Sequence, residues 1–143
     1  MKLKKEYVQV LKSTKDWEEA IHMASVPLIN DSIINENYIH KMISNIKDMG
    51  PYVVISQDIA LPHARPEDGA FESAISILKL EDRVSFGKDK NVNIIIVLAC
   101  SNNSDHLDTL KYISTLLSNE SNYKKLIESK SAEAIYDLFT ERG

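Results

Sequence analysis

His63 stands between two prolines in the stretch Ile59-Ala60-Leu61-Pro62-His63-Ala64-Arg65-Pro66-Glu67-Asp68-Gly69, and a guanidinium follows two residues later. A residue that precedes proline is pushed out of the α region. Leu61 and Arg65 therefore predict extended, stiff backbone on both sides of the imidazole. Pro66-Glu67-Asp68-Gly69 reads as a turn, with proline presetting φ and glycine taking the awkward dihedral. An imidazole held on a rigid strand end beside an arginine suits nucleophilic attack on an anionic group. Its spacing alone is equally that of a surface histidine in a strand-end loop.

His106 is the second residue with chemistry to offer. It falls in the first turn of a helix predicted over Asp105 to Ser118 and shares a face with Leu110, Ile113 and Leu117. It therefore points inward, beside free N–H groups and a helix dipole that favour an anion. Alone, it reads as a helix-start histidine packed on apolar neighbours. With His63 on a neighbouring strand end, the pair reads as a two-histidine anion site. A zinc site needs a third protein ligand; Asp105 and Asp108 are nearby, but no HExxH or cysteine-pair spacing accompanies them. Cys100 ends a buried strand without an activating environment and reads as an inert thiol. His22 and His40 fall on polar helix faces and take no role.

The elements that must position these residues follow from periodicity. Glu6 to Leu11 alternates weakly as a first strand. Ser13 or Thr14 can cap a helix whose stripe is Trp17, Ala20, Ile21, Ala24 and Leu28, with Pro27 kinking or ending it. Asn35 opens a second helix with Ile39, Met42, Ile43 and Ile46 buried, closed by Gly50-Pro51. Tyr52 to Ile55 and Ile59 to Leu61 read as short strands around a turn at Ser56-Gln57-Asp58. Ser73 to Leu80 is a longer strand, and Glu81 to Lys90 a charged loop. Val92 to Cys100 has the continuous apolar run of a central strand covered on both faces. Helices at Tyr123 to Glu128 and Ala132 to Thr140, the last capped by Ser131, complete the chain. The mixture predicts an α/β fold: a single layered domain, residues 1–143, with a mixed central sheet flanked by helices. Ligands of such sheets bind at the carboxyl ends of strands, which is where both histidines fall.

Composition sets the limits. At 43% apolar and 27% charged, the chain matches an ordinary globular protein. A net charge of −4 offers no basic field for nucleic acid. A single cysteine excludes an internal disulfide, and the start of the chain has no signal-peptide pattern. The expected location is cytoplasmic.

The run from Ile59 to Pro66 resembles the phosphorylation-site motif of enzyme IIA components of the bacterial phosphoenolpyruvate-dependent sugar phosphotransferase system, fructose–mannitol type. The resemblance extends to Asp16-Trp17-Glu18-Glu19-Ala20, Tyr38, the strand at Ile94 to Leu98, and the start His106-Leu107-x-x-Leu110. It implies a phosphocarrier, with His63 accepting a phosphoryl group from phospho-HPr and passing it to a IIB component, and His106 supporting it. Ala64 stands where many fructose and mannitol relatives have glycine. The form Pro-His-Ala-Arg-Pro-Glu-Asp-Gly looks like the ascorbate and galactitol branch. The stretch Asp48 to Pro51 lacks the arginine that many relatives carry there, so Arg65 is expected to supply that charge. Arg65 and Ser104 are then the expected phosphate-binding residues, while Ser56 and Gln57 read as a plain turn. Phe71 and Leu61 are expected on the docking surface. No cofactor and no metal is implied, and the membrane is reached only through the IIC permease. Two alternatives remain: a regulatory module of the same fold controlled by histidine phosphorylation, and a small hydrolase or metal-binding protein.

Overall fold

The structure is a computed structural model, and it describes residues 2–140. Four strands form one mixed sheet in the order β1-β3-β4-β2, with β1 Val8–Leu11, β2 Ile59–Ala60, β3 Ala74–Ser85 and β4 Asn91–Ala99. β1 runs parallel to β3, β3 antiparallel to β4, and β2 parallel to β4. The helices are α1 Trp17–Asn30, α2 Glu36–Met49, α3 Asn103–Ser118, α4 Glu120–Glu128 and α5 Ala132–Thr140.

Strand alternation divides the core between two faces, because successive side chains point to opposite sides of the pleat. Leu78, Ile95, Val97 and Ala99 pack with the apolar stripes of α1 and α2. Ile75, Ile77, Ile94, Ile96 and Leu98 pack with Ile113, Leu126, Ile135 and Phe139 of the other three helices. The result is a three-layer α/β/α domain, as its continuous apolar strand requires.

Several local expectations are corrected. Asp16 caps α1, accepting from Glu19 N at 2.9 Å, while Thr14 Oγ1 donates to the Asp16 carbonyl. α1 runs through Pro27 to Asn30. Proline removes the donor that the Met23 carbonyl would use, and Gln9 Nε2 of β1 replaces it at 2.7 Å. Tyr52 to Ile55 is a turn, with Val54 N bonded to Pro51 O. It still covers the outer edge of β2, since Leu61 N donates to Val53 O at 2.8 Å. The first strand is shorter than expected, following a 3-10 turn at Lys5–Tyr7.

The first half of the charged segment after Leu80 is strand, through Ser85. β3 resumes pairing with β4 beyond a register shift between Lys79 and Val84, where Val84 sits opposite Val92. Val84 and Phe86 are buried, and the Phe86 ring lies 5.7 Å from that of Trp17. Asn35 caps α2 and Gly50, at φ 83°, ends it. In α5 Ile135 and Phe139 are buried and Ala134 is exposed.

Candidate functional site

The carboxyl ends of β2 and β4 point the same way because the two strands are parallel. The chain leaves β2 through Leu61-Pro62 and stays extended. His63 bridges to Leu98, and Leu98 N donates to Pro62 O at 3.0 Å. β4 ends one residue later at Ala99, Cys100-Ser101-Asn102 follows, and Asn102 caps α3 by accepting from Asp105 N at 2.7 Å. His106 sits one turn into that helix. The two imidazoles consequently meet with ring centroids 5.1 Å apart.

His63 Nδ1 lies 2.8 Å from its own chain's Leu61 O. A carbonyl only accepts, so Nδ1 carries the hydrogen in this contact. In the neutral ring the lone pair is then on Nε2. His63 is half-buried, and the Tyr52 ring meets it edge-on at 6.2 Å. Burial first, and the neighbouring His63 second, push the His106 pKa below its usual 6.5. His106 is thus neutral at pH 7.

The loop is fastened from below by Tyr38, which is 1% exposed. Its hydroxyl lies 2.6 Å from Leu98 O and 3.2 Å from Ala64 O, and accepts from Ala64 N at 3.1 Å. One buried oxygen therefore joins the residue after His63 to the end of β4. The turn beyond is docked on the start of α2. Asn37 Nδ2 donates to Asp68 O at 2.8 Å, and Asn35 N donates to Gly69 O at 3.0 Å. Gly69 has φ 132°, and a Cβ there would come within 1.9 Å of Asn35 Oδ1.

An open cleft of about 380 Å³ lies over the histidines, with Arg65, Lys41, Asn45 and Asn103 among its walls. Arg65 is present but engaged: Nε is 3.5 Å from Asp68 Oδ2 and NH1 is 3.9 Å from Glu67. Ser104 is exposed on the first turn of α3 and does not line the cleft; Asn103 does. Ser56 is elsewhere, 2.8 Å from Tyr123 Oη, and with Gln57 borders a separate depression. Leu61 is buried and offers no docking surface, whereas Phe71 is exposed. Cys100 is buried with its pKa raised, chiefly by desolvation. Among the described residues no three His, Cys, Asp or Glu side chains converge as a metal site. Lys41, Asn45 and Asn103 were invisible to sequence reasoning, since polar residues on a helix face announce no ligand. The helical offset of Lys41 from buried Tyr38 was the one signal available.

The three-layer fold, with His63 and His106 meeting in an open cleft, defines an α/β domain with a paired-histidine site. The chain matches the family model described as phosphoenolpyruvate-dependent sugar phosphotransferase system, EIIA 2, over residues 1–142, and belongs to that family. It is 33% identical over 134 residues to the mannitol-specific cryptic phosphotransferase enzyme IIA component of Escherichia coli, covering 93% of this chain and 91% of the relative. The solution structure of that enzyme IIA from Escherichia coli superposes with a TM-score of 0.90 at 32% identity, covering 99% of this chain and 95% of that one. An ascorbate-specific EIIA component of Escherichia coli is 25% identical, covering 92% of this chain and 87% of the relative. The fold is also that of the mannitol enzyme IIA in its Escherichia coli complex with phosphorylated enzyme IIB, at a TM-score of 0.84 and 23% identity, covering 99% of each chain. The protein is a phosphotransferase-system IIA component, and among its described residues no helix is long and apolar enough to cross a membrane.

Proposed function

We propose that this protein is a cytoplasmic phosphocarrier that takes a phosphoryl group from phospho-HPr on His63 Nε2 and hands it to a IIB component of a sugar permease. The observation that carries the reading is the Nδ1 contact to Leu61 O, which leaves Nε2 as the nucleophile. The lone pair of Nε2 attacks phosphorus as the P–N bond to the donor imidazole breaks, and the donor ring leaves with that electron pair. The ring of His63 gains positive character, which the Leu61 carbonyl stabilises through Nδ1–H. Positioning and charge do most of the work in phosphoryl transfer, so little covalent help is needed. His106 donates a hydrogen bond to the phosphoryl oxygens, and the amino end of α3 adds its dipole. The second transfer reverses the first, with a IIB nucleophile in place of the donor. The complex of a mannitol relative with phosphorylated IIB supports such a partner. Relatives are named for mannitol and for ascorbate, and the proposed transfer does not require this chain to touch the sugar.

The test is incubation with phosphoenolpyruvate, enzyme I and HPr, followed by intact mass and mapping of acid-labile phosphate. One phosphoryl group on His63, absent from a folded His63→Ala variant, is the expected result. Folded protein that stays unmodified beside an active control carrier overturns the reading.

A further inference from the structure

We infer that Lys41 is the phosphate-holding cation of the cleft, its ammonium binding the non-bridging oxygens of the phosphoryl group on His63. The inference rests on the phosphocarrier reading above and names a residue that motif reasoning passes over.

The cleft has two cationic side chains, and their surroundings differ. Arg65 is 69% exposed and lies against the carboxylates of Asp68 and Glu67. Asp68 is buried and also accepts from Arg65 N at 3.1 Å, so its carboxylate stays with the turn. A phosphoryl group that recruits Arg65 must compete with both acids. Lys41 is half-buried, yet makes no hydrogen bond or ion pair with any described residue. Its ammonium has no carboxylate of the described residues to give up, so an arriving dianion meets no competitor there.

Position favours the same assignment. Lys41 lies on α2 between Tyr38, whose hydroxyl holds the His63 loop, and Asn45, which also faces the cleft. Asn45 and Tyr52 line the same cleft, and the Tyr52 ring meets His63 edge-on. α2 is tied to the His63 loop through Tyr38, one turn before Lys41. His106 and Asn103 come from α3 on the other side of the same cleft. A phosphoryl group on Nε2 is then held between an ammonium from one helix layer and an imidazole from the other. The long flexible stem of lysine lets the ammonium follow the group as it moves between donor and acceptor.

The experiment compares the intact wild type with Lys41→Met, Lys41→Arg and Arg65→Gln. Single-turnover transfer from phospho-HPr is measured beside a partner-free titration with inorganic phosphate, read from the His63 and His106 ring resonances. Expected for Lys41→Met is transfer slower by about 100- to 1000-fold, the scale of losing one donor to transition-state charge. Its phosphate titration weakens as well. Lys41→Arg restores most of both, and Arg65→Gln loses less than Lys41→Met. A Lys41→Met protein that transfers at the wild-type rate overturns the assignment. So does slow transfer with unchanged phosphate affinity, which makes Lys41 a partner contact. Wild-type protein that accepts no phosphoryl group overturns the carrier reading and this inference together; failure of Lys41→Met alone leaves the carrier reading standing.

Discussion

The Leu61 carbonyl engages Nδ1 of His63, so under the proposed function phosphorylation should give the Nε2 isomer alone. Proton–phosphorus coupling in the modified protein distinguishes it from the Nδ1 isomer. His106 carries a pH signature. Its pKa lies below 6.5 in the folded protein, because burial and His63 both disfavour the imidazolium. The unfolded chain binds that proton more readily, so the contribution to stability is complete above 6.5 and is lost as pH falls through the lower folded value. Urea midpoints should decline below pH 6.5, and His106→Gln should flatten that decline. Phosphorylation should reverse the shift, raising the His106 pKa toward or past its usual value in an NMR titration. Tyr38→Phe tests the clamp. It leaves Ala64 N and Leu98 O without their shared hydroxyl, at a cost of about 1–3 kcal/mol. Slower phosphoryl transfer is expected with it, because His63 loses a fixed frame.

Elements hold the site through partners distant in sequence. α1 survives Pro27 because Gln9 supplies the donor that proline lacks. Gln9→Ala should cost about 1 kcal/mol in the wild-type background, and measurably less in a Pro27→Ala background where the helix provides its own N–H. Equal losses in both backgrounds would show that the two are not coupled. Lys79 of β3 reaches the end of α4, bonding Leu126 O at 3.0 Å and the carbonyls of Ile127 and Ser129. A cation there satisfies carbonyls that the helix leaves open and complements its dipole. Gly69 is the equivalent constraint in the active loop, since neither its φ nor its contact with Asn35 admits a side chain.

At the scale of the whole molecule, a carrier of the proposed kind meets two partners in turn and releases both. Met49 at 63% and Tyr52 at 44% exposure line the cleft, and Phe71 at 62% and Leu107 at 59% follow its two histidine segments in sequence. A modest apolar surface around a reactive centre suits a small transient interface. Phe71→Ser should raise the KM for phospho-HPr several-fold while leaving the thermal midpoint unchanged, because the ring contributes little to the core. A loss confined to kcat would place Phe71 outside the docking surface.

Local chemistry was enough to recognise much of this protein. The proline-flanked histidine, the Pro66-to-Gly69 turn, the cap and stripe of α2, and the apolar run of β4 each depend on residues within a few positions of one another. Dihedral preference and side-chain periodicity act at that range, and so they are written in the sequence. The continuation of α1 past Pro27 was not, because its missing donor comes from β1. Nor was the extension of β3 through Glu81, Asp82 and Arg83, where pairing with β4 outweighs a charged composition. The site divides in the same way. Sequence alone determined that His63 follows a strand end and that His106 lies at a helix start. Tertiary structure decided that they meet, that Tyr38 and Leu61 O orient the loop and the ring, and that Lys41 reaches the cleft while Ser104 does not. Those outcomes depend on the packing of both helix layers around a parallel strand pair, which brings together residues that no local pattern connects.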